Sequence, residues 1–175
     1  SNLRDKTDLE QLTQEIRLSS NGSGDLQWLV GAFYSDTDRT YEQRLPTPGY
    51  DAYTDSTLGA GTAASVANGY PADSPYNADI PYQFQQLALF GEVNYDFTDR
   101  LHGTVGLRWY DFEEEREFNS GGLFSNGDND YDKTTADGIN PRVMMSYDMT
   151  EQTTVNGQVS QGFRQGGAND PLNIS

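Results

Sequence analysis

The chain has 175 residues, a formal net charge of -16 and a sequence pI of about 4.1. That charge excludes nucleic acid as a partner, because phosphate binding needs a basic face, and it leaves an anionic surface as a partner only through bridging divalent cations. With 34% hydrophobic residues and a mean hydropathy of -0.76, no run approaches the ~20 apolar residues that a spanning helix needs. A membrane β-barrel stays open, since half of each spanning strand faces water. The 12% aromatic content and regular alternation speak against disorder. No cysteine is present, so disulfide frameworks, thiolate zinc sites and cysteine nucleophiles are excluded. Ser1 to Glu10 is polar and lacks the apolar core of a signal peptide, which points to a mature or internal fragment of a longer protein.

In chain order, the first strand is expected over residues 9–20, where Leu12, Ile16 and Leu18 alternate with polar residues. Asn21 to Asp25 is a turn of residues that tolerate positive φ. The second strand covers 26–42, with Leu26, Trp28, Val30, Ala32 and Tyr34 on one side. A long connection, 43–83, is rich in Gly, Pro, Ser, Asp and Tyr. Its prolines, Pro81 included, are expected to break regular structure, and only Ala60 to Ala67 suggests a helical turn.

The clearest signal is the pair of strands at 84–98 and 101–117. Leu87, Leu89, Gly91, Val93, Tyr95 and Phe97 form one side of the first, and Leu101, Gly103, Val105, Leu107 and Trp109 one side of the second. A polar turn, Thr98-Asp99-Arg100, joins them. Each run is about a dozen residues, whereas globular strands are usually about five or six and a tilted strand of ~10 crosses a bilayer. A second long loop is expected at 118–136, then strands at 137–149 and 153–164 around the turn Thr150-Glu151-Gln152, and a further loop from 165 to 175.

The connections thus run short, long, short, long, short, which is the pattern of an outer-membrane barrel with its long loops on one side. Tyr95, Phe97 and Tyr147 beside the short turns, and Trp109 and Tyr34 towards the long loops, fit aromatic girdles. The expected fold is therefore all-β: an antiparallel up-and-down meander of about six long strands, part of a transmembrane β-barrel. Six strands cannot close such a barrel, for which about eight is the small limit, and this again implies a partial barrel.

The stretch from Leu89 to Leu101, followed by Thr104-Val105-Gly106-Leu107-Arg108-Trp109, resembles the mid-barrel hairpin of TonB-dependent outer-membrane receptors. Asn140-Pro141-Arg142 and Gln161 to Asn169 resemble a later segment of that family, and Gln14 to Leu18 with Trp28 to Tyr34 is similar to the preceding hairpin. The resemblance touches every expected strand and none of the long loops. It implies a Gram-negative outer-membrane location against membrane lipid. It also implies active uptake of a scarce small ligand, usually a ferric siderophore, driven by the TonB complex through a plug that these residues do not contain. A full member has about twenty-two strands. The rival expectation is a soluble all-β ligand- or carbohydrate-binding module, in which Leu87, Val93, Val105, Leu107 and Val143 would share a closed core.

Candidate ligand-binding residues are Arg108, Arg142 and Arg164 on the expected lumen face, where they could meet an anionic ligand, with a solvated wall or charge pair as the plainer reading. Tyr50 and Tyr53 in the long loop could stack on an aromatic or sugar ligand. Asp128, Asp130 and Asp132 space oxygen ligands at alternate positions as calcium loops do. They lack the glycine and distal glutamate of an EF-hand, so a solvated loop is preferred. His102, the single histidine, has no partner for a transition-metal site. Glu113-Glu114-Glu115 reads as a solvated strand end. No catalytic residues, cofactor or phosphate-binding loop are expected.

Overall fold

A computed structural model describes residues 2–125 and 129–162. Its strands are β1 (Arg4–Ser19), β2 (Leu26–Arg44), β3 (Asn77–Thr98), β4 (Leu101–Gly121), β5 (Asn129–Thr150) and β6 (Thr153–Ser160). They form one six-stranded sheet in the order β1-β2-β3-β4-β5-β6, every neighbour antiparallel. The connection between β2 and β3 carries two helices, α1 (Tyr50–Leu58) and α2 (Thr62–Val66).

Cross-strand register sorts the side chains into two faces. One row runs Trp28, Val93, Val105, Val143, Val159, and the second above it on the same face Ala32, Leu89, Trp109, Ile139. These rows are apolar and open. Leu87 is 42% exposed, Val93 43%, Val105 59%, Leu107 52% and Val143 48%, so the residues that a soluble module would bury in a shared core line the outside instead. On β4 the apolar run lasts from Leu101 to Trp109, and on β5 from Ile139 to Met149. At about 3.4 Å per residue and a tilt of about 40°, that belt is roughly 20–26 Å tall, close to the ~25 Å band of outer-membrane barrels. Tyr95, Phe97 and Tyr147 stand at its short-turn edge, all exposed, with the Tyr95 and Phe97 rings edge to face at 4.9 Å.

The opposite, inner face holds the only buried hydrophobic cluster among the described residues. Ala88, Tyr110 and Phe112 are its centre, with Phe33, Phe84 and Ala136 packed against it. Phe84 and Phe112 lie 5.8 Å apart, Tyr110 and Phe112 6.3 Å. A lumen wall that alternation marks as polar therefore carries an aromatic patch.

Several strands outrun the stretches expected from alternation. β1 starts at Arg4 rather than 9, β3 at Asn77 rather than 84, and β5 at Asn129 rather than 137. Residues 4–8 of β1 and 129–135 of β5 are mostly polar on both faces, so period-two contrast fades there while backbone pairing continues. On β3, Ala78, Ile80, Tyr82 and Phe84 keep the alternation on the inner face. Pro81 sits inside β3, paired with Thr40 of β2. Asp79 and Tyr82 pair with β4 but the two residues between them do not, so the missing N–H of Pro81 falls where that ladder is interrupted.

The β2–β3 connection is folded onto the strand tops. Leu45 N–H donates to Tyr76 O at 3.0 Å, Gly122 N–H to Val66 O at 2.8 Å and Phe124 N–H to Pro75 O at 3.0 Å. Asn77 and Ser120 are fully buried at its base, where the Asn77 amide donates to Ser74 O and Gly121 O.

Candidate functional site

The inner wall reads as a stack of cross-strand rungs. Lowest, next to the short turns, His102 of β4 is clasped between two carboxylates. Its Nδ1 is 2.6 Å from Asp96 of β3, and its Nε2 is 3.2 Å from Asp148 of β5. Thr154 of β6 donates to Asp148 at 2.6 Å, so one ring ties four strands together. Above it Thr104 donates to Asn94 at 2.6 Å.

The next two rungs carry the sequence-predicted arginines. Glu92, Gly106 and Arg142 share one rung; Arg17, Gly31, Phe90, Arg108 and Asn140 share the one above. Gly106 leaves a gap between Glu92 and Arg142, which stand 3.7 Å apart at Oε2 and Nη1. Together with Phe90, Arg108 and Asn140 these residues line a pocket of 230 Å³. Arg108 lies over the Phe33 ring at 5.9 Å and Arg17 over Phe90 at 5.7 Å, within cation–π range. The Nε atoms of Arg108 and Arg142 are buried with no hydrogen-bond partner. A guanidinium donor shielded from water and left unsatisfied is costly, and the Arg142 head group is also held beside Glu92 and Met144. Arg164 and Asp128 lie outside the described residues.

The upper rungs meet the folded loop. Arg39 of β2 and Tyr82 of β3 are opposite each other, with the guanidinium 4.9 Å from the ring centre. On the other face of the strand tops, at the parity of Ala32 and Leu89, Arg44 pairs with Asp79 at 2.6 Å and lies 4.9 Å over the Tyr70 ring. Tyr70 donates to Asn119 O at 2.9 Å. Burial, then the nearby Asp79 charge, pushes the Tyr70 phenol up to about 12, against the opposing pull of Arg44. Tyr50 begins α1 with a buried hydroxyl that lacks a partner. Tyr53 is 71% exposed on the same helix, so the two are not brought together as one stacking surface.

On the outside above the belt, Lys133 Nζ lies 2.8 Å from both Glu113 and Glu115. Their hydrogen bonds hold the ammonium above its ordinary range, and Lys133 in turn holds Glu115 below its own. The glutamate run is therefore a paired strand end above the belt. Asp130 and Asp132 belong to β5, facing Phe118 and Arg116 across the ladder, and no cluster of three or more metal-ligating His, Cys, Asp or Glu side chains occurs among the described residues.

What sequence reasoning missed was the aromatic patch and the role of Gly106. Phe33, Phe90, Tyr110 and Phe112 all occupy the alternate positions of strands whose other side is apolar, and that exception was visible in the sequence.

A long-stranded meander with an apolar belt outside and arginines inside is the wall of a membrane β-barrel. The chain matches the family model "TonB dependent receptor-like, beta-barrel" over residues 2–173, and it belongs to that family. Among solved structures it is similar to the ferric yersiniabactin uptake receptor FyuA from Yersinia pestis, with 14% identity and a TM-score of 0.69. That match covers 89% of this chain and 21% of FyuA, so the chain spans about a fifth of the receptor's length. No curated protein matches.

Proposed function

We propose that this chain is a wall segment of a Gram-negative outer-membrane receptor that imports a scarce anionic ligand, of which a ferric siderophore is the model, with energy from the TonB complex. The observation that carries this is the pair of inner-wall arginines, Arg108 and Arg142, that line one pocket with Glu92 and Asn140, set in a wall whose other face is an apolar belt. Arg108 and Arg142, with Arg164 further along the chain, offer charge-assisted donors to the ligand's carboxylate or catecholate oxygens. Tyr50 and Tyr53 belong to the loop that meets the ligand first. FyuA takes up ferric yersiniabactin, and a receptor of the same fold suits a ferric chelate. The part played here is binding and passage rather than catalysis.

The test uses the full-length protein that carries this segment. Deleting its gene in the source organism should abolish uptake of at least one labelled ferric chelate, and removing TonB should do the same. Undiminished uptake of every chelate in a siderophore panel would overturn the ferric reading. TonB-independent uptake would overturn the energy coupling.

A further inference from the structure

The outer belt is not smooth. Gly91 of β3 sits in the row Leu18, Val30, Gly91, Leu107, Pro141, and around it opens a groove of 650 Å³. Trp28, Val30, Leu89, Val93, Leu107 and Trp109 wall it. At Gly31, Gly103 and Gly138 the space beside the glycine is filled, while Gly106 on the inner wall and Gly157 on the edge strand stay open. Phe90 covers Gly31, Phe97 covers Gly103 and Tyr110 covers Gly138, each so closely that a Cβ would collide. At Gly91 a Cβ would meet only Leu29 O and a Val30 methyl, both at 3.5 Å, which is ordinary contact. Backbone geometry does not demand glycine there, and glycine weakens a strand interior. The effect of this glycine is the hollow itself.

The groove interrupts a lipid-facing surface, so what fills it is hydrocarbon. It runs from the row of Val93 to the row of Leu89, four residues or about 13 Å along the strand. That places it on the long-loop side of the belt's middle, with a tryptophan at each end. We infer that the Gly91 groove is a binding site for one acyl chain of an outer-leaflet lipid. This rests on the outer-membrane reading, under which the long loops face outward and the outer leaflet is lipopolysaccharide. An ordered chain there fills a void that would otherwise forfeit dispersion contacts on one side. The lipid contacts the protein through its chain.

The experiment is native mass spectrometry of the full-length receptor, stripped of lipid in detergent and incubated separately with lipopolysaccharide and with phosphatidylethanolamine. Wild type should retain one more lipopolysaccharide than Gly91→Leu, with at least tenfold weaker retention in the variant, and Gly91→Ala should fall between. Gly91→Ala adds only ordinary contacts, so it keeps the test informative where leucine impairs folding. Equal retention in all three proteins overturns the groove. Preferential retention of phosphatidylethanolamine overturns the outer-leaflet source. A Gly91-dependent dimer that excludes lipid would make a second copy the occupant and overturn the proposal.

A nitroxide on Val105→Cys separates this from failure of the underlying reading. Relaxation by oxygen rather than by a water-soluble nickel chelate keeps the lipid-facing wall intact while the groove alone fails. The reverse removes both.

Discussion

Tyr110 of β4 and Gly138 of β5 stand directly opposite each other on the inner wall, and the phenol end of the tyrosine fills the space that the glycine leaves. A Cβ on Gly138 would come within 2.7 Å of the Tyr110 hydroxyl oxygen and 2.9 Å of Cζ. Phe90 and Gly31 repeat the arrangement across β2 and β3. In each pair the ring lies over the glycine, so two aromatic side chains are accommodated close against the inner wall.

Valine at Gly138 or Gly31 must therefore lift a ring off the wall. Overpacking of this kind costs about 1–3 kcal/mol. Urea unfolding of the full-length barrel in lipid should show that loss at both sites, whereas Gly91→Ala should stay within about 0.5 kcal/mol of wild type. Equal effects at all three positions would mean that the rings are not what these glycines serve.

Tyr70 gives a titration test of the folded loop. Its phenol is raised from 10.0 to about 12 by burial and by Asp79. The folded state thus holds the proton more tightly than the unfolded chain. The resulting stability is whole below pH 10 and drains away as pH climbs from 10 towards 12. Ultraviolet difference spectra of wild type against Tyr70→Phe should give a tyrosinate midpoint well above the ordinary value. A midpoint near 10 would show that the loop does not pack on the strand tops as described.

What was legible in the sequence follows from where contrast exists. Between Leu87 and Trp109 one face is apolar and the other polar, and the alternation specified both strands, their turn and the outward direction of Val93, Val105 and Leu107. Arg108 and Arg142 were legible by the same parity. Above the belt the outer positions Gln83, Gln85, Lys133 and Thr135 are polar, and β1 and β5 lose their contrast. On β3, Ala78, Ile80, Tyr82 and Phe84 still alternate on the inner side, a signal that Pro81 interrupts. Pro81 looked like a breaker because its tolerance depends on where a neighbouring ladder is interrupted, which is tertiary information. Tyr50–Leu58 shows little amphipathic pattern. Asp73 accepts from the Asp51 N–H at 3.0 Å, and that contact spans the loop rather than the helix. The gap at Gly106, which makes a pocket of Glu92 and Arg142, depends on register across two strands.

The arginine pocket predicts a charge-specific effect. Replacing Arg108 or Arg142 with glutamine removes a charge-assisted donor, worth about 1.5–3 kcal/mol, or roughly 10–100-fold in affinity for an anionic ferric chelate. Isothermal titration with the full-length receptor should show this for each variant, with little change for a neutral ligand. Unchanged affinity in the double variant would mean that the two guanidiniums meet something other than the ligand.

The belt itself can be tested by depth. Val105 faces outward near the middle of the apolar run and Thr135 faces outward above it, on the rung of Glu113. Arginine on the lipid face of a barrel costs about 2–4 kcal/mol at the bilayer midplane and about 0–1 near the interface. Val105→Arg should therefore destabilise the full-length barrel in lipid vesicles severalfold more than Thr135→Arg does. The ranking cannot come from strand propensity, because both positions are in regular antiparallel pairing. Nor can it come from protein packing, because both side chains point away from the sheet's buried face. It comes from removing a guanidinium from water at one height and not at the other. Equal costs at the two positions would place the same solvent along the whole outer face, and the membrane would no longer be that solvent.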